Sequence, residues 1–222
     1  MKISTTVRRA VVAGAIITGA ATTVAVPSVA QAAPGTIWAA AQAAPATNDP
    51  VAQLASEALE ALDSIDTERG RSAGTAYAER LDRVATAAAQ RLSIDPARLR
   101  AAWQTADRNH QRALLAALTQ LGTPYRKNTS KPGIGFDCSG LTTYAWSVSD
   151  VALPRQSTAQ IRAAAKRDAL TAQAGDLVQY PGHVMMWLGV DRAIIHAVGR
   201  GRSVELDHAR ARRSLRFGDP TG

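Results

Sequence analysis

The chain of 222 residues has one cysteine, Cys138, and few aromatic side chains, which make up 5% of the sequence. A single thiol excludes a disulfide within the chain. The apolar run at residues 11–26 is short and interrupted by threonines, so a permanent membrane anchor is not expected. Basic stretches interleaved with aromatic residues, which mark nucleic-acid-binding surfaces, are also missing. Nucleic acid is therefore not an expected partner.

The first 32 residues have the layout of a secretory signal peptide. Lys2, Arg8 and Arg9 form a basic start, an apolar run of small residues follows, and Ala-Gln-Ala at 30–32 is a cleavage site. We expect residues 1–32 to be removed during export by the Sec or the twin-arginine route. The mature protein is then expected to be secreted or held in the cell wall, without a lipid.

Charge is unevenly distributed along the chain, which carries +8 in total. Residues 33–108 hold 8 basic and 10 acidic residues, a net charge of −2, whereas residues 109–222 hold 15 and 8, a net charge of +7. A basic half on an exported protein indicates an anionic wall polymer as a partner. A solvated basic tail is the alternative. The arginines near the C-terminus are Arg200, Arg202, Arg210, Arg212, Arg213 and Arg216.

The region before residue 109 predicts a linker followed by a small helical module. Residues 33–49 are rich in alanine, proline and threonine, as flexible linkers are. In residues 50–108, two Asp-Pro pairs, at 49–50 and 95–96, are typical helix starts, and apolar residues recur at helical spacing. No motif there carries chemistry, so we expect a packing, spacer or targeting role.

Residues 109–222 predict an α+β domain, with helices packed on an antiparallel sheet. One helix is predicted to start after Asp137, and a second runs from Ser157 to Arg167, opened by a capping box of Ser157 and Gln160. Alternating apolar runs bounded by turn residues then predict a meander of strands. The predicted strands are 176–180, 183–188, 192–197 and 203–206.

Cys138 is placed where a thiol becomes reactive. Asp137 is a good N-cap, which would put Cys138 in the first turn of its helix. Unpaired backbone N–H groups and the positive end of the helix dipole stabilise a thiolate there, and the same groups can bind an oxyanion. The residue types therefore predict a nucleophile, which needs a neighbouring base.

Two of the four histidines are candidates for that base. A two-residue turn between their strands would place His183 opposite His196, so that one imidazole acts as base while the other orients it. His110 and His208 are expected at the surface. Two alternatives remain: a chance pair of histidines, and a metal bound by Cys138, His183 and His196.

Residues 122–208 resemble the NlpC/P60 cysteine peptidases, bacterial cell-wall hydrolases with a papain-like core. The resemblance rests on six blocks in the family's order. They are Gly-Thr-Pro-Tyr at 122–125, Asp-Cys-Ser-Gly-Leu at 137–141, Leu-Pro-Arg at 153–155, Gly-Asp-Leu-Val at 175–178, His-Val at 183–184 and Ile-His-Ala at 195–197. The helical module is not covered by it.

The resemblance implies roles and a substrate. Cys138 would be the nucleophile, His183 the general base and acid, and His196 the orienting residue. The residues implied at the substrate cleft are Tyr125, Asp137, Ser139 and Arg155. No cofactor or metal is implied, and the bond cleaved would join γ-D-glutamyl to a diamino acid in a peptidoglycan stem peptide. The alternatives are an amidase or acyltransferase of the same fold that acts on another amide, and a non-catalytic wall-binding protein.

Overall fold

The computed structural model describes residues 47–67, 71–210 and 214–222. The predicted signal peptide, most of the predicted linker, Arg212 and Arg213 lie outside these residues. Among the described residues, no helix combines the length and the apolar character that crossing a bilayer requires.

Four helices come first in the described chain: α1 (Pro50–Thr67), α2 (Arg71–Leu92), α3 (Pro96–Thr105) and α4 (Arg108–Leu118). The Asp49 carboxylate accepts hydrogen bonds from Val51 N at 2.9 Å and Ala52 N at 3.3 Å, and Asp95 accepts one from Ala97 N at 2.8 Å. A proline follows each aspartate at the first helical position, so both predicted helix starts are confirmed.

The second half of the chain adds shorter helices and an antiparallel sheet. A small hairpin of β1 (Ser130–Lys131) and β2 (Gly135–Phe136) precedes α5 (Cys138–Ser147) and α6 (Ser157–Ala163). The larger sheet consists of β3 (Ala165–Arg167), β4 (Leu177–Tyr180), β5 (His183–Trp187), β6 (Ala193–Ala197), β7 (Val204–His208) and β8 (Arg216–Asp219). Its order is β3-β8-β4-β5-β6-β7, and every neighbouring pair is antiparallel. This confirms the predicted α+β fold.

One hydrophobic core joins the first helices to the sheet. The helix α1 packs against α2 and α4, and α2 also packs against α3. Leu59 of α1 belongs to the same buried cluster as Leu114 of α4 and Ile195 of β6. Trp103 Nε1 donates a hydrogen bond to Leu188 O at 2.9 Å, which ties α3 to the sheet. The predicted boundary between helical module and catalytic domain therefore crosses a shared core, and it stays a prediction.

The predicted helix from Ser157 to Arg167 ends early. Helix α6 stops at Ala163, and the next residues form the edge strand β3, which pairs with β8 near the end of the described chain. Gly218 of β8 allows this close pairing, because a Cβ there would lie 2.8 Å from Ala164 Cβ. The partner strand β8 lies about fifty residues later in the chain, so no local sequence pattern indicates this pairing. The helical spacing of the residues therefore predicted a helix that is too long.

The hairpin of β5 and β6 has a longer turn than predicted. Met186 pairs with Ile195, and Leu188 N donates to Ala193 O at 2.9 Å, which leaves a four-residue turn at 189–192. The predicted register, with His183 directly opposite His196, is therefore wrong by two positions. Because side chains alternate along a strand, a shift of two keeps both histidines on the same face of the sheet.

Candidate active site

Cys138 is the first residue of α5, and its thiol is free and half-buried. Asp137 is the N-cap: its backbone is extended, and its Oδ1 accepts a hydrogen bond from Gly140 N at 2.7 Å. The predicted helix start is therefore confirmed. The first-turn N–H groups have no partners within a helix, and the positive end of the dipole lies at the thiol. Both features can stabilise an oxyanion that forms next to the thiol.

Asp137 also joins Ser139 and Arg155 into one network. Asp137 Oδ2 accepts hydrogen bonds from Arg155 Nη2 at 2.8 Å and from Asn128 N at 2.7 Å. Arg155 Nη1 donates to Ser139 Oγ at 2.9 Å. Burial acts to raise the pKa of Asp137, but the bonds from Arg155, Gly140 N and Asn128 N lower it below its ordinary value. Asp137 is therefore an anion at neutral pH and holds Arg155 beside the thiol.

The close approach of two backbone segments at Gly140 brings residues 128–130 over the start of α5. A Cβ on Gly140 would lie 2.1 Å from Thr129 O and 2.9 Å from Asp137 Oδ1. Ser130 Oγ donates to Gly140 O at 2.7 Å, and Asp137 N donates to Thr129 O at 3.0 Å. Only glycine leaves room for this contact.

Gln160 does not cap α6, so the predicted capping box is wrong. The N-cap is Gln156, whose side chain makes no capping hydrogen bond. The Gln160 side chain is instead buried, and its Nε2 donates to Ser139 O at 3.0 Å. Gln160 thereby links α6 to the first turn of α5, next to Cys138. The sequence predicted a special role for Gln160, but no sequence pattern indicated that its partner is Ser139.

Tyr125 lies beside the thiol. Its N–H donates to Arg202 O at 2.8 Å, and it forms an isolated bridge with Phe136, two residues before Cys138. Burial raises the pKa of Tyr125, and the negative charges of Cys138 and Asp137 raise it further. The phenol is therefore protonated at neutral pH and can donate a hydrogen bond near the thiol.

His183 and His196 form a hydrogen-bonded pair across β5 and β6. Nε2 of His183 lies 2.8 Å from Nδ1 of His196, and the rings meet edge to face with their centroids 5.0 Å apart. Burial, followed by the positive charges of His196 and Arg210, lowers the pKa of His183 to about 4. His183 is consequently neutral at neutral pH and can accept a proton, as a general base must.

The thiol and the histidine pair are at the same end of the sheet. His183 is the first residue of β5, and β6 is antiparallel to β5, so the end of β6 and the start of β7 lie at this end. Gly122 N donates to Val204 O at 2.9 Å, which fixes the segment carrying Tyr125 to the start of β7. The helix α5 packs against β5 and β6. The segment of Tyr125 and the histidine pair thus lie at one end of the sheet, and hydrogen bonds join Asp137, Ser139 and Arg155 at the start of α5.

His110 is buried, so its predicted surface position is wrong. Its Nε2 lies 3.0 Å from Asp176 Oδ1 and 3.2 Å from Asp219 Oδ1. These three residues have the composition of a metal site. Their carboxylates also accept other hydrogen bonds, from Gln173 N to Asp176 and from Arg167 to Asp219. The cluster therefore joins α4 to β8 and to the residue before β4 as a hydrogen-bonded unit.

A helix-start thiol and a neutral histidine are the nucleophile and the base that cysteine hydrolases use. The model of the NlpC/P60 family matches residues 122–214. This part of the chain is therefore similar to NlpC/P60 domains, and the resemblance seen in the sequence is confirmed.

Three known proteins show the extent of the similarity. A probable endopeptidase of Corynebacterium glutamicum is 32% identical over 152 residues, which cover 66% of this chain and 65% of the relative. A gamma-D-glutamyl-L-lysine dipeptidyl-peptidase of Bacillus cereus is 37% identical over 95 residues, 39% of this chain and 28% of the relative. The crystal structure of a P60 domain from an antigen of M. avium subspecies paratuberculosis has 27% identity and a TM-score of 0.45, and the match covers 51% of this chain and 96% of that one. The chain spans between 24% and 65% of the length of the curated relatives it matches.

Proposed function

We propose that this protein is a secreted cysteine endopeptidase that hydrolyses stem peptides of peptidoglycan in the cell wall. The observation that carries the proposal is the free Cys138 thiol at the start of α5, in a family domain whose sheet holds the pair of His183 and His196. We place the cleaved bond between γ-D-glutamyl and a diamino acid. The name of the Bacillus cereus relative, which contains the γ-D-glutamyl-L-lysine linkage, supports this choice.

In this mechanism Cys138 is the nucleophile and His183 is the base. Nε2 of His183 is engaged by His196, so Nδ1 is the nitrogen left to take the thiol proton. Cys138 Sγ then bonds to the amide carbonyl carbon, the C–N bond breaks, and His183 returns the proton to the leaving amine. Water attacks the resulting thioester, gives a proton to His183, and releases the carboxylic acid as the thiol is restored.

The surroundings of the thiol supply binding groups. The oxyanion of the tetrahedral intermediate lies against the free N–H groups at the start of α5, and the protonated Tyr125 phenol is a further donor nearby. An open cleft of about 510 Å³, lined by the residues on either side of Cys138 in the chain, Asp137 and Ser139, holds the peptide. The polar side chains that line it include Asn128, Asp137, Ser139, Arg155 and Ser157.

The products from a defined stem peptide test the proposed bond. We expect a peptide with a γ-linked D-glutamate before a diamino acid to give two fragments whose masses place the added water at that bond. The matched control is the isomer with an α-linked glutamate, which has the same mass and composition and should stay intact. Liquid chromatography with mass spectrometry reads both reactions.

Other outcomes of that assay point to other functions. Cleavage at a different amide, or transfer of the acyl group to an added amine, would replace the endopeptidase by an amidase or an acyltransferase of the same fold. A chain that binds whole sacculi but releases no fragment would be a non-catalytic wall-binding protein.

We further propose that an anionic wall polymer is held at the groove between α6, β3 and β8, which we call the β3–β8 groove. The groove has a volume of about 600 Å³, and its charged lining residues, Arg162, Lys166, Arg167 and Arg216, are all basic. Arg167 is paired with Asp219, which leaves the other three charges to attract an anion. Phosphodiester groups on a wall polymer match this positive surface.

Removing two of these charges tests the groove. We expect Lys166→Gln with Arg216→Gln to weaken binding to sacculi roughly tenfold, because an exposed ion pair contributes about 0.2–1 kcal/mol, and to make binding less sensitive to salt. The control is Arg83→Gln with Arg98→Gln on α2 and α3, which changes the net charge equally. Sedimentation with sacculi at several salt concentrations measures both. Equal losses in the two double variants would mean that net charge alone retains the protein.

A further inference from the structure

His196 has one ring nitrogen without a hydrogen-bond partner. Nδ1 of His196 is bonded to His183, while its Nε2 is buried and unsatisfied. The residue as a whole is 6% exposed, so water does not replace the missing partner freely. The carboxylate nearest to Nε2 is that of Asp207, whose Oδ2 lies 3.6 Å away. Buried polar atoms without partners are uncommon in proteins, so this nitrogen calls for an explanation.

The register of β6 and β7 places two carboxylates on the face that carries His196. Glu205 is directly opposite His196, and Asp207 is opposite Ile194, one diagonal step away. Glu205 is already engaged, because its oxygens accept hydrogen bonds from Arg202 and from Ser203. Asp207 Oδ1 accepts a hydrogen bond from His208 N, the only one it receives within the described part of the chain, and Oδ2 is the oxygen that lies 3.6 Å from the imidazole.

The space around these groups allows the carboxylate to reach the ring. A small cavity of about 110 Å³ lies along His196 and Asp207, and the Asp207 side chain is 53% exposed. A movement of less than 1 Å would bring Oδ2 within hydrogen-bonding distance of Nε2. The other titratable or charged groups that face this site are Tyr180, Arg202, Glu205, His208 and Arg210.

The hydrogen bond between the two imidazoles makes their tautomers depend on each other. A neutral imidazole has one N–H, so a proton on Nε2 of His196 leaves its Nδ1 as an acceptor for Nε2–H of His183. Nδ1 of His183 then has a free lone pair. In the reverse arrangement Nδ1–H of His196 donates to Nε2 of His183, and the His183 proton sits on Nδ1, where it blocks the base. A carboxylate beside Nε2 of His196 favours the first arrangement.

We propose that Asp207 is a positioning residue of the active site, which sets the tautomer of His196 and through it frees Nδ1 of His183 as the base for Cys138. The inference rests on the proposed peptidase function. Asp207, on strand β7, would then be a fourth residue of the active site beside Cys138, His183 and His196.

Asp207 also affects the charged state that forms during reaction. When His183 takes the thiol proton it becomes a cation, and a carboxylate behind His196 stabilises that charge. Burial lowers the pKa of His196, and the Asp207 and Glu205 carboxylates counteract this. Removal of Asp207 therefore disfavours the pair of thiolate and imidazolium, and the thiol should need a higher pH to react.

The test compares Asp207→Ala and Asp207→Glu with the control Glu79→Gln, which removes one negative charge from the exposed face of α2. We expect Asp207→Ala to lower kcat on the γ-linked peptide about 10- to 100-fold with KM unchanged, because Asp207 lies outside the cleft that holds the peptide. Asp207→Glu should recover part of the loss, and Glu79→Gln should change kcat less than about threefold. Since the Asp207 side chain is half exposed, all variants should keep their thermal unfolding midpoint.

Two readouts do not need peptidase activity. Cys138 is the single thiol of the chain, so its iodoacetamide labelling rate against pH reports thiolate formation, and we expect the curve of Asp207→Ala to shift to higher pH. Nitrogen-15 NMR of labelled histidines should show the His196 proton on Nε2 in the wild type and on Nδ1 in Asp207→Ala. Unchanged labelling and tautomer in Asp207→Ala would overturn the proposal. If the wild type cleaved no wall peptide, these two measurements would still decide the role of Asp207.

Discussion

Cys138→Ala is expected to abolish hydrolysis of the γ-linked stem peptide, with a fall in kcat of at least about ten-thousandfold. The thiol supplies the bond to the carbonyl carbon, and neither the helix-start N–H groups nor His183 can replace it. Binding of the peptide should change little, because Cys138 is not among the residues that line the cleft. Initial rates by mass spectrometry and affinity by calorimetry separate these two effects.

The single thiol makes the control for this result unusually direct. Labelling of the wild type with iodoacetamide modifies only Cys138, so loss of activity in proportion to the labelled fraction would show independently that this residue reacts. Cys138→Ser adds a near-isosteric comparison with a weaker nucleophile. Unchanged peptide hydrolysis by a folded Cys138→Ala protein would refute the mechanism, whatever the family match.

Gly140→Ala is expected to damage both the fold and the activity. Its Cβ would lie 2.1 Å from Thr129 O, and that oxygen belongs to the backbone and cannot swing aside like a side chain. Residues 128–130 would have to move away from the start of α5, and the bonds from Asn128 N and Ser130 Oγ would be lost with them. We expect a loss of about 1–3 kcal/mol in the free energy of unfolding and of at least about a hundredfold in turnover.

The matched control is Gly74→Ala within α2. A Cβ on Gly74 meets no atom within 4 Å, and alanine is the better helix former by about 0.5–1 kcal/mol. The same substitution should therefore stabilise one helix and destabilise the other, as measured by urea unfolding with matched m-values. An equal or positive effect at Gly140 would mean that the loop has another position of similar free energy.

The sequence predicted those parts of the candidate site that depend on hydrogen bonds between residues close together in the chain. The capping bond from Gly140 N to Asp137 spans three residues, so the residue types at 137–140 were enough to place the thiol at a helix start. The pairing of His183 and His196 on one face followed from strand alternation, although their register did not. The turn between them contains Asp191 and Arg192 with φ of 51° and 58°, a conformation that residues other than glycine rarely adopt and that the sequence did not signal.

Residues whose partners are remote were misjudged or overlooked. His110 was predicted to lie at the surface, but it is buried and contacts Asp176 and Asp219, which come much later in the chain. Asp207 carried no prediction, and its relation to His196 depends on the pairing of β6 with β7. Such contacts are decided by which apolar faces are buried together, and a local pattern does not contain that information.

By itself the sequence determined that Cys138 begins a helix, that two histidines share a strand hairpin, and that residues 122–208 follow the order of one family. These features depend on capping bonds and strand alternation within a few neighbouring residues. Only the tertiary structure decided which nitrogen of His183 bonds to His196, and that Asp207 of a third strand lies 3.6 Å from the other ring nitrogen of His196. The state of a base is set by the groups packed around it, and packing joins residues that the chain keeps apart.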